Sequence, residues 1–338
     1  MTSVVHLQEL RERDKVVRTN PGASLIDLGH GVACLEFHSK LNSIGLDQLQ
    51  MLDEAKIEVD RNFLGLVIGN QGKHFSAGAN LALLLEYIEN RDWKKLDQTF
   101  QKFRQATFLL RQFEKPILVA CHGYTLGGGC EFVLGACSAV VSQDIHIGLP
   151  ESRVGLLPTA GGCKEMLVRN TEGISSNSEE DIFAGVRNAW ATIFEGKIAD
   201  KPQEAFELHY LRPSETRVVS KNQLLLSEAK QRILEIVEEG YEPVTPRSNL
   251  PAVGEKGFAQ FREILERQRL ENKISAYDIT VGLKIAEVLC GGTSVKFRWV
   301  TESEVLELER EAFLSLCGER PTRERIQHML RTGKALKN

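Results

Sequence analysis

What this chain lacks narrows it first. Its seven cysteines, at positions 34, 121, 130, 137, 163, 290 and 317, are odd in number and include no CxxC pair. Thiols scattered in this way exclude a disulfide framework or a zinc ribbon and fit a reducing interior. No run approaches the ~18 to 20 apolar residues of a membrane helix. The opening MTSVVHLQELRERDKVVRTN has no apolar core ahead of a cleavage site, so it does not read as a signal peptide. Basic residues are not in excess: 42 Lys and Arg face 46 Asp and Glu, a formal charge of −4. No face for nucleic acid is expected from that balance. A cytoplasmic protein without a membrane span is the expectation.

Three nucleotide or nucleophile signatures are missing as well. No Gly-Lys-Ser/Thr follows a glycine loop, so there is no phosphate loop of the Walker type. G-x-G-x-x-G is absent. HFSAG fails as a nucleophile elbow, because His74 stands where a glycine is required.

What is present suggests two domains in 338 residues. LIDLGHGVACLEFH reads as two strands about a Gly turn. GLDQLQMLDEAKIEVDR has helical spacing, and FLGLVIGNQ and KPILVACHG are buried-type strands. AVVSQDIHIGLPE adds two short strands. Strands alternating with helices predict an α/β domain. Residues 1–20 read as a short helix and a loose lead or linker, and 21–240 as the α/β domain. The proline-bearing YEPVTPRSNLPAVGEKG places a boundary near 241–257, and 241–338 reads as a wholly helical region. There Thr301 and Glu304 have capping-box spacing, Thr322 is a candidate helix cap, and Gly333 a stop. SSNSEED (175–181) reads as a mobile insertion.

Two loops draw the attention. FSAGANLALLL and GYTLGGGCE each leave a strand, pass through small residues and enter a helix. Small residues let a ligand approach the backbone, and N–H groups at a helix start are unpaired and partly positive. An ordinary loop capped by Asn80 explains the first equally well, and close backbone packing the second. Taken together, two such N–H groups can form an oxyanion hole, worth roughly 3 to 4 kcal/mol per donor in a transition state. Glu131 falls one turn into the helix after the glycines, and Glu151 follows Pro150. A helix-dipole contact and a solvated turn would account for them. Beside an oxyanion hole, though, two carboxylates are equipment for moving a proton next to a carbonyl. Cys130 is better read as a small apolar filler than as a nucleophile.

At these residues the chain resembles the crotonase, or enoyl-CoA hydratase, superfamily. GKHFSAGANL and KPILVACHGYTLGGGCE…GLPESRVGLLPTAGG carry the likeness, which covers about residues 21–240. It implies a ββα spiral core followed here by a C-terminal helical subdomain, assembled as a trimer or hexamer. It implies an acyl-CoA thioester whose oxygen is held by the N–H groups of Ala79 and Gly128. Glu131 and Glu151 are then the catalytic pair, and both being present favours hydration of a 2-trans-enoyl-CoA in fatty-acid β-oxidation. Lys40 and Leu41 are implied near the CoA adenine and phosphates, although a surface role suits Lys40 equally. The substrate is implied to meet Ala77, Gly78, Asn80 and Leu81 from the first loop. From the second region it meets Tyr124, Gly127, Pro150 and Thr159. No metal or redox cofactor is implied, coenzyme A being part of the substrate.

Two residues depart from the pattern. Asn80 stands where many relatives have Asp, but asparagine caps a helix as well. Thr159 stands where hydratases often have Gly, beside the catalytic water. The stretch at 170–188 is longer than in simple hydratases. DKVVRTNPGASLIDLG and EREAFLSLCGERPTRERIQHMLRTGKALKN are similar to segments of bacterial fused 3-hydroxyacyl-CoA dehydrogenases. Either the hydratase part of such a fusion or a free-standing relative is expected, with a 3-hydroxyacyl-CoA dehydrogenase or thiolase as partner. Hydride transfer by this chain alone is not expected. The competing readings are another crotonase reaction, such as double-bond isomerisation, and a non-catalytic acyl-CoA-binding or docking module.

Overall fold

The computed structural model describes residues 4–175, 178–293 and 296–338. The chain opens with helix α1 (Leu7–Glu12), strands β1 (Val16–Thr19), β2 (Ala23–Asp27) and β3 (Val32–Phe37), helix α2 (Leu46–Asn62) and strand β4 (Gly65–Gly69). Helices α3 (Leu81–Glu89) and α4 (Trp93–Phe108) precede strands β5 (Ile117–Cys121) and β6 (Tyr124–Leu126) and helix α5 (Gly128–Gly135). Next come β7 (Ser138–Ser142), β8 (His146–Gly148), α6 (Gly162–Thr171), α7 (Glu179–Phe194), β9 (Ile198–Ala199), α8 (Pro202–Glu207), β10 (Thr216–Val219) and α9 (Leu225–Glu238). The last stretch holds β11 (Leu250–Ala252), α10 (Gly254–Leu270), α11 (Ala276–Leu289), β12 (Arg298–Val300), α12 (Glu302–Cys317) and α13 (Arg320–Thr332).

The chain falls into two compact units, each assembled from three separated stretches. The first takes residues 1–80, 105–148 and 198–245; the second takes 81–104, 149–197 and 246–338.

In the first unit a seven-stranded sheet runs in the order β1-β2-β3-β4-β5-β7-β10. The β1-β2-β3 part is antiparallel and the remainder parallel. Parallel strands covered on both faces read as unbroken apolar runs. GLVIG, ILVAC and SAVVS accordingly form β4, β5 and β7, buried at every position. Leu226, Ala229 and Ile233 of α9 join Val67, Leu118 and Val140 of those strands in one core. A separate sheet of β6, β8 and β9 carries the glycine-rich turn.

The short helix expected within residues 1–20 is α1, but among the described residues of that stretch the lead is not loose. Val16–Thr19 pairs antiparallel with β2 as the edge of the main sheet, and Leu7 is buried in the core. The Leu7 N–H donates to Gln71 Oε1 at 2.7 Å, and Arg18 meets Glu58 at 2.7 Å. A four-residue edge strand with polar neighbours carries almost no apolar signal of its own.

In the second unit, Trp190 of α7 is buried. Its indole N–H donates to the Gly282 carbonyl at 2.9 Å, and its ring stacks on Phe194 and tilts against Phe261. The region beyond 257 is not wholly helical: β12 pairs antiparallel with β11. The Thr301–Glu304 capping box opens α12, and Gly333 closes α13 at φ 68°. Thr322 is not a cap. Helix α13 starts earlier, at Arg320, with Glu319 in the cap position and Pro321 in the first turn, where proline is well suited. Of SSNSEED, residues 176 and 177 lie outside the described residues; Ser178 caps α7 by accepting the Asp181 N–H. Among the described residues no helix is long and apolar enough to cross a membrane.

Candidate active site

The first unit brings the two small-residue loops together. The Phe75 N–H donates to the His122 carbonyl and the Ser76 N–H to Tyr124, while the Leu126 N–H returns to Ser76 at 3.0 Å. The turn Lys40–Asn42 closes on the same loop. Its Leu41 carbonyl accepts from Ala77 at 3.1 Å, and the Ile44 N–H donates to Gly78 at 2.9 Å. Leu41 itself is 60 % exposed and held at φ 55°.

Gly78 explains why the loop needs its small residues. It sits at φ +95°, and a Cβ there would lie 2.8 Å from the Leu126 carbonyl and 3.4 Å from the Gly128 nitrogen. The Ala79 N–H makes no backbone hydrogen bond among the described residues, whereas those of Ala77 and Asn80 do. Gly128 is the first residue of α5, where an N–H has no intrahelical acceptor. Gly127 precedes it at φ 53° and donates to Gly148 at 2.9 Å. Gly129 has the packing role: a Cβ there would lie 2.9 Å from Ser76 Cβ. So one glycine triplet serves both a close approach and an N–H without an intrahelical acceptor.

Gly78→Ala is expected to cost about 1–3 kcal/mol through overpacking and strain at positive φ, read as a lower urea midpoint. An unchanged midpoint would refute the close approach of the two loops.

Glu131 lies one turn into α5 and is 4 % exposed, in a helix whose every residue is buried. A carboxylate kept from water costs several kcal/mol unless it is hydrogen-bonded. A dipole contact would be available equally to an exposed residue. Cys130 beside it is fully buried, as a packing residue would be.

Sequence reasoning missed His74. Its ring stacks on Tyr124 at 4.1 Å, and its Nδ1 accepts the Tyr124 N–H at 3.1 Å. Burial, then the Lys73 charge, holds this histidine below its usual range. Tyr124 remains 45 % exposed beside the glycines. The only sequence signal was an aromatic pair fifty residues apart, which no local pattern reveals.

Leu81, Pro150, Glu151 and Thr159 belong to the second unit. Leu81 is the first residue of α3. Pro150 precedes a single 3-10 turn, Glu151–Val154, of which Glu151 is the first residue. Thr159 is buried and lines a cavity of about 10 Å³ with Asp97, Phe100, Arg104, Arg310 and Phe313, room for roughly one water. Arg310 holds Asp97 through two bonds of 2.6 and 2.7 Å. Glu309, fully buried on α12, accepts the N–H groups of Gly161 and Lys164 at the start of α6. Among the described residues no group of three or more His, Cys, Asp or Glu could hold a metal ion.

Residues 30–175 match the enoyl-CoA hydratase/isomerase family model. The chain belongs to the crotonase superfamily. Its α/β sheet and C-terminal helices are a crotonase fold. A carnitinyl-CoA dehydratase from Mycobacterium thermoresistibile matches 93 % of this chain and 91 % of its own, with a TM-score of 0.65 at 12 % identity. A probable 3-hydroxyacyl-CoA dehydrogenase of Bacillus subtilis is 40 % identical over 99 % of this crotonase chain. A short-chain-enoyl-CoA hydratase of Clostridium acetobutylicum is 32 % identical over 131 residues, 37 % of this chain and 48 % of its own. The chain spans only 41 % of the length of the Bacillus relative.

Proposed function

We propose that the chain is an enoyl-CoA hydratase, adding water across the 2-trans double bond of an acyl-CoA thioester. The observation that carries this reading is the meeting of the two loops at Gly78 and Gly128, with buried Glu131 one turn further on the same helix. In this reading the N–H groups of Ala79 and Gly128 hold the thioester oxygen. Charge that moves onto that oxygen as C3 is attacked is then stabilised by donors already in place. Glu131 takes the proton of the attacking water, and Glu151 delivers a proton to C2. Because Gly128 and Glu131 share one short, packed helix, the donor and the base keep a fixed spacing, as a preorganised site requires.

The remaining substrate contacts follow from the same reading. Lys40 and Leu41 serve the adenine and phosphate end, and Ala77, Asn80, Leu81, Tyr124, Gly127, Pro150 and Thr159 line the path to it. Coenzyme A enters as part of the substrate, with no further cofactor. The product is a 3-hydroxyacyl-CoA of β-oxidation, passed to a 3-hydroxyacyl-CoA dehydrogenase or thiolase partner, and the working form is a trimer or hexamer. The Bacillus subtilis relative, a probable 3-hydroxyacyl-CoA dehydrogenase, supports such a partner.

The test is product analysis. With crotonyl-CoA, the expected result is loss of enoyl-thioester absorbance and gain of the mass of one water. Conversion of a 3-enoyl-CoA to its 2-enoyl isomer without hydration would replace this reading by isomerisation. Retained affinity for acyl-CoA with no turnover at any chain length would leave a docking module.

A further inference from the structure

Glu151 is the first residue of a 3-10 turn only four residues long, Glu151–Val154. Such a turn is marginal alone, because a helix this short has few intrahelical bonds. Locally the Ser152 carbonyl accepts the Gly155 N–H at 3.0 Å and the Glu151 carbonyl the Leu156 N–H at 3.1 Å; the Gly155 carbonyl, one residue past the turn, is served by α13. Thr322 of α13 donates its hydroxyl to the Gly155 carbonyl at 2.7 Å. The Thr322 oxygen in turn receives the Tyr277 hydroxyl at 2.7 Å. Arg325, one turn along α13, reaches the Ser152 carbonyl at 3.4 Å. Its guanidinium is itself held by Asp278 at 2.8 Å and by Ser275 at 3.1 Å, and it lies over the Tyr277 ring. Thr322 is fully buried and Arg325 is 2 % exposed. The fit leaves no slack: a Cβ on Gly155 would lie 2.8 Å from the Thr322 hydroxyl.

We infer that Thr322, backed by Tyr277 and supplemented by Arg325, is a positioning residue that sets the direction of Glu151 by holding the turn that begins with it. Helix α13 is thereby part of the catalytic apparatus without touching substrate. This rests on the hydratase reading of Glu151.

A double-mutant cycle tests it on the purified full chain with crotonyl-CoA. Thr322→Val is expected to lower kcat by about 10- to 100-fold, as misplacement of a catalytic group does, with KM little changed. Thr322→Ser, which keeps the hydroxyl, should restore most of the rate. In a Glu151→Gln background, Thr322→Val should cost less than about twofold, because residues acting through one group are not additive. Equal losses in both backgrounds, or no rescue by serine, would overturn the assignment and reduce Thr322 to general stability. If circular dichroism shows Thr322→Val unfolded, Arg325→Lys takes its place in the same cycle, a loss confined to the Glu151 background supporting the assignment and equal losses in both backgrounds overturning it. Should the wild type turn over but Glu151→Gln match it, the role given to Glu151 is what fails, and the assignment falls with it.

Discussion

Glu131→Gln is expected to lower kcat on crotonyl-CoA by about 10²- to 10⁴-fold, the usual worth of a general base, while affinity for the acyl-CoA changes little. Glutamine keeps the shape and the hydrogen-bonding reach of the side chain but cannot take a proton. The residue sits 4 % exposed within a helix that is buried throughout, so a neutral replacement should not unfold the chain. Steady-state kinetics and binding of a saturated acyl-CoA separate the two effects. A variant that retained more than about half of the wild-type rate would remove Glu131 from the chemistry, since no acid–base role is worth so little.

The largest stability effect is expected at Lys164. This lysine is 4 % exposed at the start of α6, its ammonium bonded to Glu165 and 3.1 Å from Glu302. Burial alone works against its charge, but Glu165 and Glu302 outweigh that and hold it above the usual lysine range. A lysine raised in the fold contributes fully below its unfolded pKa of about 10.4 and loses that contribution only as pH rises through the folded value. At neutral pH the whole contribution is therefore at stake. Lys164→Met removes the cation and leaves the carboxylates of Glu165 and Glu302 in the interior. Breaking a buried pair from one side costs about 3–5 kcal/mol. Urea unfolding at pH 7 measures it, and a loss below about 1 kcal/mol would mean that water reaches the cluster and screens it. The same start of α6 receives Glu309 on its Gly161 and Lys164 N–H groups. Helix α12 thus reaches the start of α6 twice, through Glu302 and through Glu309.

Much of the first unit was legible. GLVIG, ILVAC and SAVVS are unbroken apolar runs, and a buried parallel strand needs no polar alternation. Caps were legible where the chemistry is local: the Thr301–Glu304 box and the left-handed Gly333 involve residues within one turn. The break between α3 and α4 was not. Nothing in the apolar spacing of that stretch marks Arg91, which takes φ 54° while Asp92 accepts the Lys95 N–H. Edge strands β1 and β12 are too short and too polar to announce themselves. Thr322 has the composition of a cap, and only the early start at Arg320 moves it into the helix.

The two glycine-rich loops, the order of the two glutamates and the family they imply were determined by the sequence itself, because each lies in a run of neighbours whose types and spacing carry the pattern. The tertiary structure decided what no spacing contains. It brought Gly78 against Leu126 and Gly128, set His74 on Tyr124, interleaved the chain into two units, and gave the turn of Glu151 its support from Thr322 and Arg325. Those contacts join residues from about fifty to more than 160 positions apart. Backbone and side-chain bonding at such range depends on how the cores pack, and packing leaves no periodic trace in the chain.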